Sequence, residues 1–427
     1  MVEVTTYAEV LEALRSSSKL AVVLDEESVP VRGGTVLRID GEAHARRRRM
    51  LNRLVLRDRH NWFRREALYP AVERNLAALF ADAGPDGIAR TDLVSFCRRA
   101  LIEMIAAMIG LDQTGTAEGV EELVRVQARI EEFFGLKTQL KGAAPPLPGG
   151  EIGLKKALTN LEAGKREFVE RFYRPSLATH QRLFARERAG EIHESELPND
   201  FLMLVASHAD PSYDEDPDLP VREAIADLLH AGTGTTVGAV VHTVDELDPW
   251  FADHPDDRER RIDPYFLDGA VNEVLRLHSA NPAEVRQALE DVQLSSGTVI
   301  KAGQYAALRT GIANRDRSVF GPDAVRFDPH RHVPTGVYRH GLAFGSGPHM
   351  CLGMLLALGN EGIDGTVVYL LSSLYRAGME KDPARPARYR PAIAHADLKS
   401  FNNYPVLFVR ETGAEPPAAQ LSRSARR

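Results

Sequence analysis

Cysteine is nearly absent: the 427 residues hold two, Cys97 and Cys351. Two cysteines cannot build a disulfide scaffold, a four-cysteine zinc site or an iron–sulfur cluster with four cysteine ligands. Any cysteine that matters here acts alone. A basic excess is also missing, with 53 Lys and Arg against 60 Asp and Glu and a formal charge of -7. That excludes nucleic-acid binding driven by overall charge, because phosphate wants a basic surface. No uninterrupted apolar run reaches the ~18 residues a membrane span needs, and the opening MVEVTTYAEVLEALRSSSKL has no signal-like core. The expectation is a cytoplasmic protein with no membrane anchor and no nucleic-acid partner.

What is present is the composition of a folded globular chain, 44% hydrophobic and 26% charged. No internal repeat and no dividing linker is visible, so one domain is expected over residues 1–412. The Pro/Ala-rich stretch 413–427 reads as a disordered tail. The first two-thirds is mostly helical. Leu93, Phe96, Cys97, Ala100, Leu101, Met104, Ile105 and Met108 form one apolar stripe at steps of three and four, predicting a helix of about 18 residues with Cys97 as core filler. Helical patterns continue over Val120–Phe134 and Lys155–Glu187. Between them GAAPPLPGG, Gly142–Gly150, excludes a helix and is either a plain linker or a lid over a cavity. A further helix is expected from about Val221 to Leu247. It contains Ala231-Gly232-Thr233-Gly234-Thr235-Thr236, poor helix formers that suggest close packing or a local distortion. Past Thr298, VIKAGQYAALRTGIA reads as a short strand pair, and short strands recur around Tyr404–Val409.

The chemistry concentrates in Phe344-Gly345-Ser346-Gly347-Pro348-His349-Met350-Cys351-Leu352-Gly353. Glycines and a proline make a tight turn, and an apolar helix is expected over Leu352–Leu358. Turn N–H groups and the positive helix end would stabilise a Cys351 thiolate. Such a thiolate could be a nucleophile with His349 as its base, a redox thiol, or a metal ligand. The redox reading lacks a second cysteine nearby. The ligand reading requires a metal with a single protein ligand, which means haem.

This segment resembles the haem-binding loop of the cytochromes P450, Phe-x-x-Gly-x-x-x-Cys-x-Gly, at Phe344, Gly347, Cys351 and Gly353. Further matches follow. Glu273 and Arg276 resemble the family's Glu-x-x-Arg, and Arg331 its third member, a triad for folding and haem retention. His44, Arg48, Arg286 and His349 resemble the partners of the haem propionates. Ala231–Thr236 resembles the oxygen-binding stretch of the family's helix I, with Thr235 and Thr236 as catalytic hydroxyls and Ala231 and Gly232 beside the cofactor. Gly345 falls in the same cofactor loop. By position, Ala231, Asn281, Ala283, Phe401 and Asn402 would face substrate. The resemblance covers about Val4 to Arg410.

The resemblance implies a mainly helical fold with small β-sheets. It implies haem b (iron protoporphyrin IX) on Cys351, O2 and a small organic substrate of the secondary-metabolite kind, and electrons from NAD(P)H through a ferredoxin reductase and a ferredoxin. Arg46–Arg49 reads either as a solvated basic face or as the docking patch for that acidic donor. The sequence departs from the pattern twice. Gly234 stands where Asp or Glu is expected, so protons must come from water, substrate or a side chain such as Thr233. The chain also reads as lacking the family's leading helix and strands, with VTTYAEVLEALRSS as the segment around its helix B. Gly234 opens a second reading, a haem-thiolate enzyme of atypical chemistry (peroxide-driven, coupling or rearranging). A third is a haem or ligand-binding protein without catalysis.

Overall fold

The computed structural model describes residues 1–23, 28–140, 150–360, 363–391 and 399–409. The expectations for 413–427 and for a linker or lid lie outside these residues, except that Gly150 already begins the helix Gly150–Phe168.

Helices dominate, as expected. The apolar stripe forms the helix Leu93–Ile109. Asp92 caps its start by accepting from the N–H groups of Val94 and Ser95, and Gly110 ends it at φ 95°. Cys97 is fully buried within it, and that burial pushes its thiol pKa up. Across this helix runs a long continuous element, Leu219–Arg222, the π-helical Glu223–His230 and then Ala231–Asp253. It is long and apolar enough to span a bilayer but mostly buried in the protein's own core. The two helices meet at Gly232, where a Cβ would come 2.7 Å from Ile105 Cδ1. Only glycine lets the backbones approach so closely.

A four-stranded sheet sets the other wall, in the order Val2–Val4, Tyr305–Leu308, Glu284–Ala288, Leu20–Val22. Its first pair is parallel, Val2 opposite Ala306. The other pairs are antiparallel and put Arg286 between Ala306 and Val22. The strands predicted as a pair after Thr298 do form, but not with each other: Val299–Ile300 pairs with Val292–Gln293, while Tyr305–Leu308 joins the large sheet. A three-stranded sheet, Met379–Lys381, Pro405–Phe408 and Ala89–Asp92, closes the far side. The helix after Cys351 starts two residues later than predicted, at Met354, and ends as predicted at Leu358, where Gly359 leaves it at φ 83° into a hairpin of Gly359–Asn360 with Ile363–Asp364.

Candidate active site

The Cys351 loop is held from both sides. Cys351 N–H donates to Phe344 O at 2.8 Å and Met350 N–H to Gly347 O at 3.1 Å. Gly345 and Gly347 sit at φ 68° and 69°, which side chains other than glycine rarely adopt. Gly347 has a second reason: a Cβ would lie 2.9 Å from Leu14 O and 3.0 Å from Arg15 Cα, in the helix Tyr7–Arg15. The Phe344 ring meets His340 edge-on at 4.9 Å. Cys351 itself is accessible. It opens onto the interior while lying deep enough that burial raises its thiol pKa, opposed by the N–H of Gly353, the Arg48 charge and the N–H of Met354.

Basic groups converge beside this loop. On the helix Gly41–Leu51, His44 is buried and its ring lies 4.1 Å from that of His349. Burial, then the neighbouring His349 and Arg48, push the His44 pKa down to about 4. His349 Nε2 pairs with Asp40 Oδ1 at 2.8 Å, and Asp40 Oδ2 accepts from Val22 N–H at 2.9 Å. Arg286 is buried and paired with Glu284, and its charge also acts on His349. Two histidines and two arginines crowded together favour an anion among them. The cluster suits the two carboxylates of a haem: these residues would hold them, and Cys351 would bind the iron. Asp40, which anchors His349, was missed in the sequence because it follows no motif.

Above, the Ala231–Asp253 helix presents two faces. Thr235 is exposed, its Oγ1 donating to Ala231 O at 2.8 Å. A Cβ on Gly234 would meet nothing within 4 Å. Thr233 and Gly232 point the other way. Thr233 is fully buried with Oγ1 unpartnered, so it is no proton donor to the cavity. Gly232 packs against Ile105. Thr236 Oγ1 donates to Gly232 O at 3.0 Å, on the Gly232 side of the helix.

The triad residues come together. Arg276 Nε and Nη2 donate to the Glu273 carboxylate at 2.8 and 2.6 Å, and Arg331 Nε donates to Glu273 Oε1 at 2.8 Å. Arg276 Nη1 also reaches Asn314 O and Ala324 O, both at 2.6 Å. Among the residues predicted to face substrate, Ala231 and Ala283 are half-buried and Asn281 and Asn402 exposed. Phe401 packs edge-on against His242 of the long helix, centroids 5.1 Å apart.

The Arg46–Arg49 patch is corrected. Arg47 is buried and pairs with Asp210 at 2.8 Å and with Glu223. Arg48 is half-buried near Cys351. Only Arg46 and Arg49 are exposed, and each has an acidic neighbour, Asp210 at 3.7 Å and Glu42 at 3.4 Å. The periodicity explains it: His44, Arg47, Leu51 and Leu54 lie on one buried stripe.

Comparison with known proteins is consistent with this geometry. The cytochrome P450 family model matches residues 245–360, which include Cys351 and the triad. Cytochrome P450 105A3 of Streptomyces carbophilus is 42% identical over 133 residues, 30% of this chain and 30% of that protein. The 20-oxo-5-O-mycaminosyltylactone 23-monooxygenase of Streptomyces fradiae is 40% identical over 132 residues, 30% of this chain and 29% of that one. The matched stretch thus spans under a third of these relatives. The fold match is wider. Substrate-free CYP109E1 from Bacillus megaterium superposes with a TM-score of 0.67 at 20% identity, over 95% of this chain and 92% of that one. Residues 245–360 thus match the cytochrome P450 family in sequence, and the chain as a whole shares the fold of bacterial cytochrome P450 structures.

Proposed function

We propose that the chain is a haem-thiolate monooxygenase that inserts oxygen from O2 into a small organic molecule, of the kind found in secondary metabolism. The observation that carries this reading is the lone accessible Cys351 in a glycine turn, with the His44–His349–Arg48–Arg286 cluster beside it. The relatives' names, a 23-monooxygenase among them, support it. Haem b, bound through Cys351, supplies O2 activation and the oxidising power. The chain supplies position: the cluster holds the propionates, Thr235 Oγ1 holds a proton over the cavity, and Ala231 and Phe401 bound the substrate space.

Electrons arrive singly from a ferredoxin-type partner fed by NAD(P)H. In Arg46–Arg49, Arg47 is buried, Arg48 is half-buried and the two exposed arginines each face an acid, which makes it a poor docking face. A better candidate is the helix Arg57–Phe63, which touches Met354–Leu358 just after Cys351. There Arg53 and Arg57 make no ion pair among the described residues, and Leu56, Trp62 and Leu355 are exposed. The peroxide-driven, coupling and rearranging reading rests on Gly234 alone, and the comparisons do not favour it. Turnover of a substrate panel under labelled O2, with ferredoxin, reductase and NAD(P)H, tests the proposal. One labelled oxygen atom per product is expected. Oxygen drawn from water or peroxide would refute it.

A further inference from the structure

The helix that crosses the cavity lacks a carboxylate at Gly234, and Thr233 faces away. A different ionisable side chain stands one turn before Gly234. We propose that His230, held by Glu131, supplies the proton that an acid at position 234 would otherwise supply; this rests on the monooxygenase reading above.

His230 precedes Gly234 by four residues, one turn along the same face of the helix. Its Nδ1 lies 2.8 Å from Glu131 Oε1. Its ring stacks on Phe134 with centroids 3.8 Å apart and planes 16° apart. The Arg32 guanidinium lies 4.5 Å from the centroid of the Phe134 ring. The ring is therefore fixed by an acid at one edge and by stacking on one face. A histidine whose Nδ1–H is committed to a carboxylate presents Nε2 in a defined state. That nitrogen has no hydrogen-bond partner among the described residues, and it is not among the polar atoms shut off from solvent. Between His230 and Thr235 the space at Gly234 is open, with nothing within 4 Å of a Cβ there. It is room for a water beside Thr235, the next residue along the helix. Asp227, a turn further back, does not compete, because both of its oxygens are closed off from solvent.

The transfer balances without electrons changing hands. The Nε2–H bond of the protonated ring breaks and its electron pair stays on the ring. The proton passes through the water beside Gly234 to Thr235 Oγ1, whose own hydroxyl hydrogen gives up its bond to Ala231 O and is released into the cavity. Nδ1–H stays donated to Glu131, and Nε2 regains a proton from bulk water. Glycine at 234 then has a function, since a side chain there would fill the water's place.

The test uses the haem-loaded protein and three variants. H230F keeps an aromatic ring against Phe134 and removes both nitrogens. E131Q removes the carboxylate, and H230F/G234D restores an acid at 234. The first readout needs no turnover. Ring ¹⁵N resonances of His230, assigned by their loss in H230F, should show Nδ1 protonated in the native protein and that preference weakened in E131Q. A native ring without it overturns the proposal. The second readout is product formed per NAD(P)H consumed. General acid catalysis is worth about 10²–10⁴, so H230F should lose at least about tenfold in this ratio while substrate still shifts the haem spin state. H230F/G234D should recover most of the loss. Unchanged coupling in H230F, or a folded H230F that the acid does not rescue, overturns the role of His230 and leaves the monooxygenase reading standing. A native protein that binds CO through thiolate-ligated haem yet turns over nothing sinks both.

Discussion

Asp227 gives a prediction whose sign and size both follow from the fold. It sits in the π-helical stretch Glu223–His230, and neither carboxyl oxygen makes a hydrogen bond or meets solvent. Burial, then the charge of Glu223, raise its pKa to about 8, against the opposing charges of Arg32 and Arg38. Thr35 is close by, but its hydroxyl donates to Arg32 O at 3.1 Å. The folded carboxyl is thus neutral at pH 7, while the unfolded one ionises near the ordinary 3.8. Below pH 3.8 the group costs no stability. As pH rises towards 8, only the unfolded chain gains from ionisation, so stability falls across that window. The difference of about four pH units, at about 1.4 kcal/mol each, sets a ceiling of about 5–6 kcal/mol. At pH 7 only about three of those units have been crossed, and water penetration leaves about 2–4 kcal/mol. Asp227→Asn is isosteric with the neutral acid and cannot ionise. Urea unfolding of the haem-loaded protein should find this variant more stable than the native chain at pH 7 by that amount, with the gain shrinking to zero near pH 4. An equal difference at every pH would refute the reasoning. So would a variant less stable at pH 7, which would mean an ionised Asp227 paired to Arg32 or Arg38.

Two more perturbations test the scaffold of the site. Arg276→Met leaves Glu273 with Arg331 alone and strips a donor from Asn314 O and Ala324 O. Breaking a buried pair costs about 3–5 kcal/mol, so soluble yield and haem content should collapse together, with Arg276→Lys intermediate; full haem content in the methionine variant would contradict the account. Gly347→Ala forces a side chain to φ 69° and against Leu14 O and Arg15 Cα. The left-handed backbone alone costs about 1–2 kcal/mol, and a lower Tm with faster haem loss should follow, measured against Gly234→Ala, which meets open space.

The parts of the fold legible in the sequence are those set by local rules. The Phe344–Gly353 turn declares itself because glycine is needed at Gly345 and Gly347, whose φ values are positive. The stripe from Leu93 to Met108 gives its helix because one face is uniformly buried. Glu273 and Arg276 meet because they are one turn apart. What escaped depends on residues distant in the chain. Four consecutive arginines read as a surface, yet Arg47 turns inward to Asp210 and Glu223, 163 and 176 residues away. His230 finds Glu131 at a separation of 99 residues, and His349 finds Asp40 at 309. The strands after Thr298 were recognisable as strands, but their partners were not, since a two-residue alternation says which face is buried and not which edge is paired.

The central claim is that one cysteine of the two carries the function. The measurement that tests it most directly is the ferrous–CO difference spectrum of the haem-loaded protein beside its Cys351→Ser and Cys97→Ser variants. The native protein and Cys97→Ser should both show the strongly red-shifted band of thiolate-ligated haem, and Cys351→Ser should lack it. A band that survives Cys351→Ser, or a native protein that binds no haem when expressed with a haem precursor, would contradict the account.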